Sequence, residues 1–309
     1  MKLSEVSMSS FRHLGRELGL QTEMFGGRLV VIAPMWRRAL STESGFCKAV
    51  VTAGYLTERQ MLRAASRYRL GRTRQGGVIF WQIDQEERIH DGKVMYYRPD
   101  CHRDKERHPT WVSSMLRKRD PFPDAPRQAS HCLFGLHLMD ETKIQKIEKI
   151  NLHNPKNLCL NKKITTDYAD YTDCFPETTE RQEVNPLNLL NPWSKNIAVV
   201  EAEKSAVILS ELFPQYLWLA TGGLGEVQPE KFRPLRGRRV VLFPDTDPDS
   251  VAFRRWSDAA SEVQRQVWWE GSPPIRVSPL LERRASPGQK ERKIDLVDFL
   301  SEDEGTGVF

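Results

Sequence analysis

The sequence predicts an α/β domain with a parallel sheet and flanking helices, preceded by a smaller α+β region. Two short apolar runs, Ile197–Val200 and Arg239–Phe243, are rich in β-branched residues. Such runs are typical of strands that are buried on both faces of a parallel sheet. Between residues 196 and 300, runs of this kind alternate with segments of helical length. This alternation indicates parallel strands joined by right-handed crossovers.

The remaining elements of this domain are predicted in the order helix, strand, helix, strand and helix: 203–212, 216–220, 250–268, 275–277 and 293–300. Together with the two runs above, they define a Rossmann-like domain over residues 196–300. Residues 301–309 are predicted to be a disordered tail.

The smaller α+β region is predicted over residues 61–140. Thr57 and Gln60 have the spacing of a capping box, which indicates the start of a helix. The stretches 76–84 and 88–97 have the composition of two antiparallel strands, and the stretches 111–116 and 132–138 complete the region.

Two segments have weaker patterns. Residues 1–60 are predicted to be a mainly helical N-terminal segment. Residues 141–195 are rich in Asn, Lys, Thr and Asp and contain a Thr-Asp-Tyr repeat at 166–173. A three-residue period has no buried face in a helix or a strand, so this segment is predicted to be an irregular inserted linker.

The composition limits the class of protein. The 309 residues have 39% hydrophobic and 28% charged residues and a net charge of +5, which permits a nucleic-acid partner without requiring one. Five scattered cysteines without a C-x-x-C pair favour reduced thiols. No apolar run has the roughly 20 residues that a membrane span needs. We therefore expect a cytoplasmic protein with no membrane partner.

Acidic residues follow both of the first two strands. Glu201 and Glu203 follow the first, and Asp245 and Asp247 follow the second. Ligands of open α/β sheets bind at the carboxyl ends of the strands, and carboxylates are preferred ligands of Mg²⁺. These residues therefore predict a divalent-metal site, with Glu201 as a metal ligand or as a general base or acid. The alternative is a pair of solvated acidic turns.

The order and spacing of three segments, Ile197–Lys204, Gly222–Gly223 and Asp245–Asp247, resemble the Toprim domain of bacterial primases, topoisomerases and related nucleases. Three earlier segments look like those that precede Toprim in primases and phage primase–helicases: 76–80, 92–95 and 133–136. The whole chain looks closest to an uncharacterised primase-like family of bacterial mobile elements.

The resemblance implies roles for individual residues. Glu201 matches the catalytic glutamate, Asp245 and Asp247 match the metal-binding pair, and Asp295 with Asp298 matches a later acidic motif of primases. The implied cofactor is Mg²⁺ or Mn²⁺. The chain departs from the pattern where Ala202 replaces a glycine and Ser205 replaces an aspartate, and Glu203 is the candidate substitute for the missing ligand.

Basic residues indicate a nucleic-acid surface, because lysines and arginines that neutralise phosphates release counterions. The candidates are Lys204, Arg233, Arg236, Arg238, Arg72, Arg74 and Lys93. The alternative for each is a solvated charge, and Lys204 is either a phosphate contact or a solvated lysine at a helix start. Gly222 and Gly223 predict a structural βα turn, with close approach of a phosphate as the alternative.

A zinc site was weighed for two cysteines and two histidines with irregular spacing, Cys101, His102, His108 and Cys132. A polar loop at residues 100–105 is favoured over zinc, because no pair has finger spacing.

The expected function is a magnesium-dependent, primase-like nucleotidyltransferase in the replication of a mobile element. Its partners would be single-stranded DNA and nucleotides, with a replicative helicase as a candidate partner. Three alternatives stay open: a Toprim nuclease, a catalytically decayed DNA-binding accessory protein, and a small-molecule nucleotide binder.

Overall fold

Two compact units, Met1–Cys132 and Leu133–Phe309, make up the chain. The computed structural model describes residues 22–25, 28–31, 40–117, 131–139 and 196–303. The predicted linker 141–195 and most of the predicted tail, 304–309, lie outside the described residues.

The described part of the first unit combines three helices with antiparallel strands. The helices are α1 (Gly45–Thr52), α2 (Glu58–Arg67) and α3 (Val112–Arg117). The strands are β1 (Thr22–Phe25), β2 (Arg28–Val31), β3 (Gly71–Arg72), β4 (Val78–Ile83), β5 (Ile89–Met95) and β6 (Thr110–Trp111). An antiparallel sheet has the order β3-β4-β5-β6, and β1 pairs separately with β2.

The expectation of a mainly helical segment over residues 1–60 is wrong for the stretch 22–31. Thr22 pairs with Val31, and Phe25 pairs with Arg28. Two residues of sequence, Gly26 and Gly27, separate the paired strands. A Gly-Gly pair between two apolar runs is a hairpin signal, so this feature was readable from the sequence.

The core of the first unit lies on both faces of β4, all six residues of which are buried. On one face, Ile79, Trp81 and Ile83 pack in a cluster with residues of β5. On the other, the ring of Phe80 lies 5.4 Å from the ring of Phe46, which belongs to α1. A strand buried on both faces needs a long apolar run, which is what this stretch of sequence contains.

The capping box predicted at the start of α2 is confirmed. The backbone N–H of Gln60 donates to Thr57 Oγ1 over 3.3 Å, and the backbone N–H of Thr57 donates to Gln60 Oε1 over 2.9 Å. These bonds satisfy two of the N–H groups that a helix start leaves without intrahelical partners.

The second unit contains the predicted parallel sheet, flanked by helices. Its strands are β7 (Asn196–Val200), β8 (Tyr216–Ala220), β9 (Val240–Phe243) and β10 (Arg276–Val277), in the order β10-β9-β7-β8, and each pairing is parallel. Its helices are α4 (Glu203–Leu212), α5 (Pro229–Phe232), α6 (Val251–Val267), α7 (Leu280–Arg284), α8 (Pro287–Arg292) and α9 (Leu296–Asp303). The α/β fold with a parallel sheet is therefore confirmed.

Central position and burial explain the sequences of β7 and its following helix. Residues 197–200 of β7 are buried between β8 and β9, and residues 203–210 of α4 are buried as well. Helix α6 instead buries one stripe at helical spacing, which includes Ala252, Trp256 and Ala260. Within the described parts of the chain, none of the helices is both long and apolar enough to cross a membrane.

Two boundaries differ from the sequence predictions. Phe134, predicted to belong to the α+β region, lies in the second unit, where it forms an antiparallel bridge with Ala220. β8 is the edge strand of the sheet, and an edge leaves backbone groups open to such a bridge. Helix α9 continues to Asp303, beyond the predicted start of the tail, because its apolar residues at 296, 297, 299 and 300 are buried.

Candidate active site

Glu201 and Asp245 lie at the same edge of the parallel sheet. Glu201 follows directly after β7, and Asp245 comes two residues after the end of β9. Val200 pairs with Phe243 in register, so the two strands end side by side. The acids that follow them meet at the carboxyl edge of the sheet, where the sequence predicted the site, and both side chains are partly exposed.

The loop before α9 brings a third acidic segment to this edge. The backbone N–H of Thr246 donates to the carbonyl oxygen of Ile294 over 3.1 Å, which ties the Asp245 loop to the residue before Asp295. Asp295 caps α9, since its Oδ1 accepts from the backbone N–H of Asp298 over 2.8 Å. Asp298 stands in the first turn of the same helix.

Lys204 is the cation of this group. Its Nζ lies 3.1 Å from Asp295 Oδ2 and 3.2 Å from Asp298 Oδ1. Next to it on α4, Ser205 Oγ donates to Asp295 Oδ2 over 2.7 Å. Lys204 is only 7% exposed, so the expectation of a solvated lysine at the helix start is wrong. A lysine is buried to this degree only when it is paired.

Asp245 has a raised pKa. Burial raises the pKa of its carboxyl group well above the usual range, and the neighbouring charges of Asp295 and Glu201 raise it further. Lys204 acts in the opposite direction without overcoming this effect. Loss of hydration and the nearby like charges both favour the neutral form of this carboxyl group.

Asp295 shows the opposite balance. Burial alone would raise its pKa, but the charge of Lys204 and the hydrogen bonds from Ser205 and from the Asp298 backbone outweigh burial and lower it. Asp295 is therefore ionised and held from both carboxylate oxygens. The sequence predicted Asp295 as a metal ligand, and the structure gives its oxygens to protein donors.

Asp247 lies at the start of α6, with its carboxylate turned to backbone donors. Its Oδ1 accepts from the N–H of Asp249 at 3.0 Å and of Val251 at 2.9 Å, and its Oδ2 accepts from the N–H of Ala252 at 2.7 Å. Burial alone would raise its pKa, but these bonds lower it. Asp247 caps the helix and is not among the charges that dominate the environment of Asp245.

Glu203, the predicted substitute ligand, begins α4 and is buried. It too is absent from the main charges that act on Asp245. The first turn of a helix favours an acidic side chain because it faces unpaired N–H groups. The central carboxylates are therefore Glu201, Asp245, Asp295 and Asp298.

The glycine turn supports the backbone of Glu201. Gly222 has φ +87°, a left-handed conformation that L side chains adopt poorly. In this conformation its N–H donates to the carbonyl oxygen of Glu201 over 2.9 Å. The turn was predicted to be structural. Its hydrogen bond to Glu201 holds the backbone of the residue that directly follows β7.

The arginines before β9 lie at the opposite edge of the sheet from the acids. Arg233, Arg236 and Arg238 precede the first residue of β9, whereas Asp245 follows its last. The length of a strand of four or five residues, about 13–17 Å, separates the two edges. The structure therefore places the backbones of these arginines before the amino end of β9, and their role as nucleic-acid contacts stays a prediction.

One of these arginines contacts an exposed aromatic ring. The guanidinium of Arg236 lies 4.2 Å from the ring centroid of Trp269, and Trp269 is 55% exposed. Arg233 is also exposed. The amino edge of the sheet thus carries a basic and aromatic surface of its own.

The remaining basic candidates belong to the first unit. Arg72 is on β3 and Arg74 follows it, and both are exposed. Lys93 is on β5, paired in register with Trp111. The possible zinc ligands differ in burial: Cys101 is buried, whereas His102 and His108 are exposed.

The donors at the carboxyl edge suit a hard divalent cation, because they are carboxylate oxygens that carry excess negative charge. Thr246, between Asp245 and Asp247, is 3% exposed and its Oγ1 has no hydrogen-bond partner among the described residues. A buried hydroxyl without a partner is costly, so this loop retains an unused oxygen. In the described parts of the chain, no three His, Cys, Asp or Glu side chains form a ready-made metal-binding group.

Sequence comparison gives a family without an activity. A family model described as a domain of unknown function (DUF6371) matches residues 46–151 and 148–246. The matched stretches run from α1 to Thr246 and so include Glu201, Lys204 and Asp245. No curated protein matches the sequence.

Proposed function

The chain belongs to the DUF6371 family, whose description states no activity, and we propose its function from the site itself. We propose that it is a primase-like enzyme of the Toprim type, which transfers nucleotidyl groups on single-stranded DNA with the help of Mg²⁺ or Mn²⁺. The observation that carries the proposal is the meeting of Glu201 and Asp245 at the carboxyl edge of the sheet, with Asp295 and Asp298 beside them.

A cation is supported by the charge balance of the cluster. Among the main charges that act on Asp245, three are carboxylates and one is the ammonium of Lys204. Burial and the neighbouring charges of Asp295 and Glu201 raise the pKa of Asp245 despite Lys204, so an additional cation would stabilise the ionised form of this carboxyl group. Glu201 and Asp245 are the two members that would hold a divalent ion, since Lys204 is paired with the other two, Asp295 and Asp298.

The proposed chemistry assigns steps to residues of this chain. A bound divalent ion would stabilise charge on the phosphate oxygens. The attacking hydroxyl of one nucleotide forms a bond to the α-phosphate of a triphosphate, the bond to the β-phosphate breaks, and pyrophosphate leaves. Glu201 would accept the proton of the attacking hydroxyl at its carboxylate. Asp245 would be a ligand of the divalent ion.

The setting of this activity follows from the sequence resemblance. The smaller α+β unit would contact the template strand, with Arg72, Arg74 and Lys93 as its phosphate contacts. We propose that the activity takes place in the cytoplasm, in the replication of a mobile element, and that a replicative helicase is a partner.

A second candidate function has its own observation in support. Lys204 already pairs with Asp295 and Asp298, and Asp247 accepts hydrogen bonds from three backbone N–H groups. A site with these features is also what remains when an acidic centre loses its metal. The second candidate is therefore a DNA-binding accessory protein without catalysis.

One experiment separates the candidates. The purified protein is incubated with single-stranded template, labelled nucleotides and Mg²⁺ or Mn²⁺, beside Asp245→Asn and Glu201→Gln. The matched control is Asp258→Asn, which changes an exposed acid on α6. New oligonucleotides that only the two site variants lose would support the primase.

Other outcomes point elsewhere. Cleavage of the template that depends on the same two residues would replace the primase with a nuclease. DNA binding without either product would leave the accessory protein as the function.

A further inference from the structure

We propose that Lys204 is a built-in cation of the acidic cluster, so that this site takes one divalent ion at Glu201 and Asp245 and no second ion at Asp295 and Asp298. The inference rests on the proposed function, since it concerns the same site. It goes beyond that function because it states how many divalent ions the site binds and names Lys204 as the source of the other positive charge.

The geometry around Lys204 is the first step. Its Nζ stands 3.1 Å from an oxygen of Asp295 and 3.2 Å from an oxygen of Asp298. All three side chains are largely buried. An ammonium that bridges two buried carboxylates does what a metal ion does between two acidic ligands, with a single positive charge.

The oxygens of Asp295 are the second step. Oδ2 accepts from Ser205 Oγ over 2.7 Å and faces Lys204, and Oδ1 accepts from the backbone N–H of Asp298 over 2.8 Å. Both oxygens thus have protein donors. Oδ2 faces two donors, so a metal ion could bind this oxygen only by displacing one of them.

The position of Lys204 in the chain is the third step. It follows Glu201 by three residues, and α4 holds it in its first turn. The segment that follows β7 therefore contributes two groups to the cluster. These are the carboxylate of Glu201, which is partly exposed, and the ammonium of Lys204, which is buried. Two-metal phosphoryl-transfer sites use two cations, and in this inference Lys204 takes the place of one of them.

The test measures metal content and stability. Lys204→Met removes the ammonium and keeps an apolar chain of similar length. Lys290→Met is the matched control, because Lys290 pairs with Glu282 at 2.7 Å in the same unit. Each protein is freed of metal with a chelator. Calorimetric titration with Mn²⁺ then gives the number of ions bound, and thermal unfolding gives the Tm with and without Mn²⁺.

The expected result is one Mn²⁺ for the wild type and for Lys290→Met, and two for Lys204→Met. Without metal, the Tm of Lys204→Met falls, because two buried carboxylates lose their partner. Mn²⁺ should recover most of that loss and should recover much less in Lys290→Met. If Lys204→Met does not fold without metal, Lys204→Gln, which keeps hydrogen-bond donors without the charge, decides by the same measurements.

The outcomes distinguish this inference from the proposed function. Two ions in the wild type, or no additional ion and no Mn²⁺-dependent recovery in either Lys204 variant, would overturn the inference and leave a metal-dependent activity standing. No ion in the wild type would overturn the metal-dependent enzyme together with the ion that the inference places at Glu201 and Asp245.

Discussion

Asp245 and Asp247 are two residues apart in the loop after β9, and their pKa values are shifted in opposite directions. The pKa of Asp245 is raised by burial and by adjoining carboxylates. Asp247 is also subject to burial, but backbone N–H groups at the start of α6 lower its pKa. In this Asp-x-Asp motif, Asp245 disfavours its ionised form, whereas the ionised form of Asp247 is stabilised by backbone hydrogen bonds. Replacement of the two residues should therefore have different effects.

Replacement of Asp247 by alanine should destabilise the fold. It removes a carboxylate that accepts three backbone N–H bonds at the start of α6, and the expected loss is about 1–3 kcal/mol of unfolding free energy. Denaturant unfolding measures it. The control Asp258→Ala, on the exposed face of the same helix, should change little. A stable Asp247→Ala protein that has lost metal binding would instead make Asp247 a ligand.

Replacement of Asp245 by asparagine should stabilise the metal-free protein at neutral pH while abolishing activity. A carboxyl group with a raised pKa in the folded state opposes folding when it is ionised, and the neutral amide removes that opposition. The gain is on the order of 1 kcal/mol. It should shrink as the pH falls from the raised pKa of the folded state towards the ordinary value of 3.8, because the carboxyl group of the unfolded chain then becomes protonated as well.

Thermal unfolding of both proteins in chelator, between pH 5 and pH 8 in roughly unit steps, checks this prediction. A wild-type protein that is the more stable of the two at neutral pH would contradict it.

The Gly222→Ala variant should lose both stability and activity. Its φ of +87° is strained for alanine, at about 1–2 kcal/mol, and relaxation of the turn would weaken the bond from its N–H to the carbonyl of Glu201. Gly225→Ala is the matched control, because a Cβ there meets no atom within 4 Å. Unfolding free energy and the rate of the reaction give the two readouts. Equal effects at both glycines would refute the positional argument.

The two edges of the sheet should separate DNA affinity from metal binding. Arg233→Ala and Arg236→Ala remove charges at the amino edge, so each should reduce the salt dependence of single-stranded DNA binding by about one phosphate contact. Metal affinity should stay unchanged, because the carboxylates lie at the other edge. Binding titrations at several salt concentrations test this, with Arg265→Ala on α6 as the control. Loss of metal affinity in the arginine variants would contradict the separation.

Asp84 should make the first unit sensitive to acid. Burial alone would raise its pKa, but His90 and Arg88 lower it below the ordinary value of 3.8. Its carboxylate accepts from the backbone N–H of Arg88 over 2.8 Å and lies 2.9 Å from His90 Nε2. A carboxyl group with a lowered pKa stabilises the fold above its unfolded pKa, and that stabilisation is lost as the pH falls through the folded value.

The expected difference between wild type and Asp84→Asn is about 1–3 kcal/mol near neutral pH. It should disappear in acid below the ordinary pKa of 3.8. Unfolding curves measured from neutral pH down to acid check this prediction, and a stability difference that does not change with pH would contradict it.

Local sequence was sufficient where the structure depends on local patterns. The helix over 203–212 and the capping box at Thr57 were predicted as the structure has them, since apolar spacing and caps are encoded within a few residues. The positions of Glu201 and Asp245 at one edge also followed, because the carboxyl ends of parallel strands share an edge.

Other features needed knowledge of distant contacts. Lys204 and Asp298 are 94 positions apart, and no local pattern pairs them. The sequence motif at Asp247 fits both a metal pair and a helix cap, and the cap applies because β9 ends at Phe243, before the alternation of side chains could reach Asp247. Arg236 is close to the acids in sequence and far from them in space, since a whole strand lies between them.

The bond from Ser205 to Asp295 joins residues 90 positions apart, and this has a consequence for the order in which the protein is made. Ribosomes add about 5–20 residues per second. Asp295, the partner of Ser205, is therefore synthesised several seconds after α4. During that interval Lys204 has neither of its carboxylate partners. The acidic cluster therefore becomes competent only late in synthesis, and a nascent chain that carries Glu201 and Asp245 alone does not yet contain the finished site.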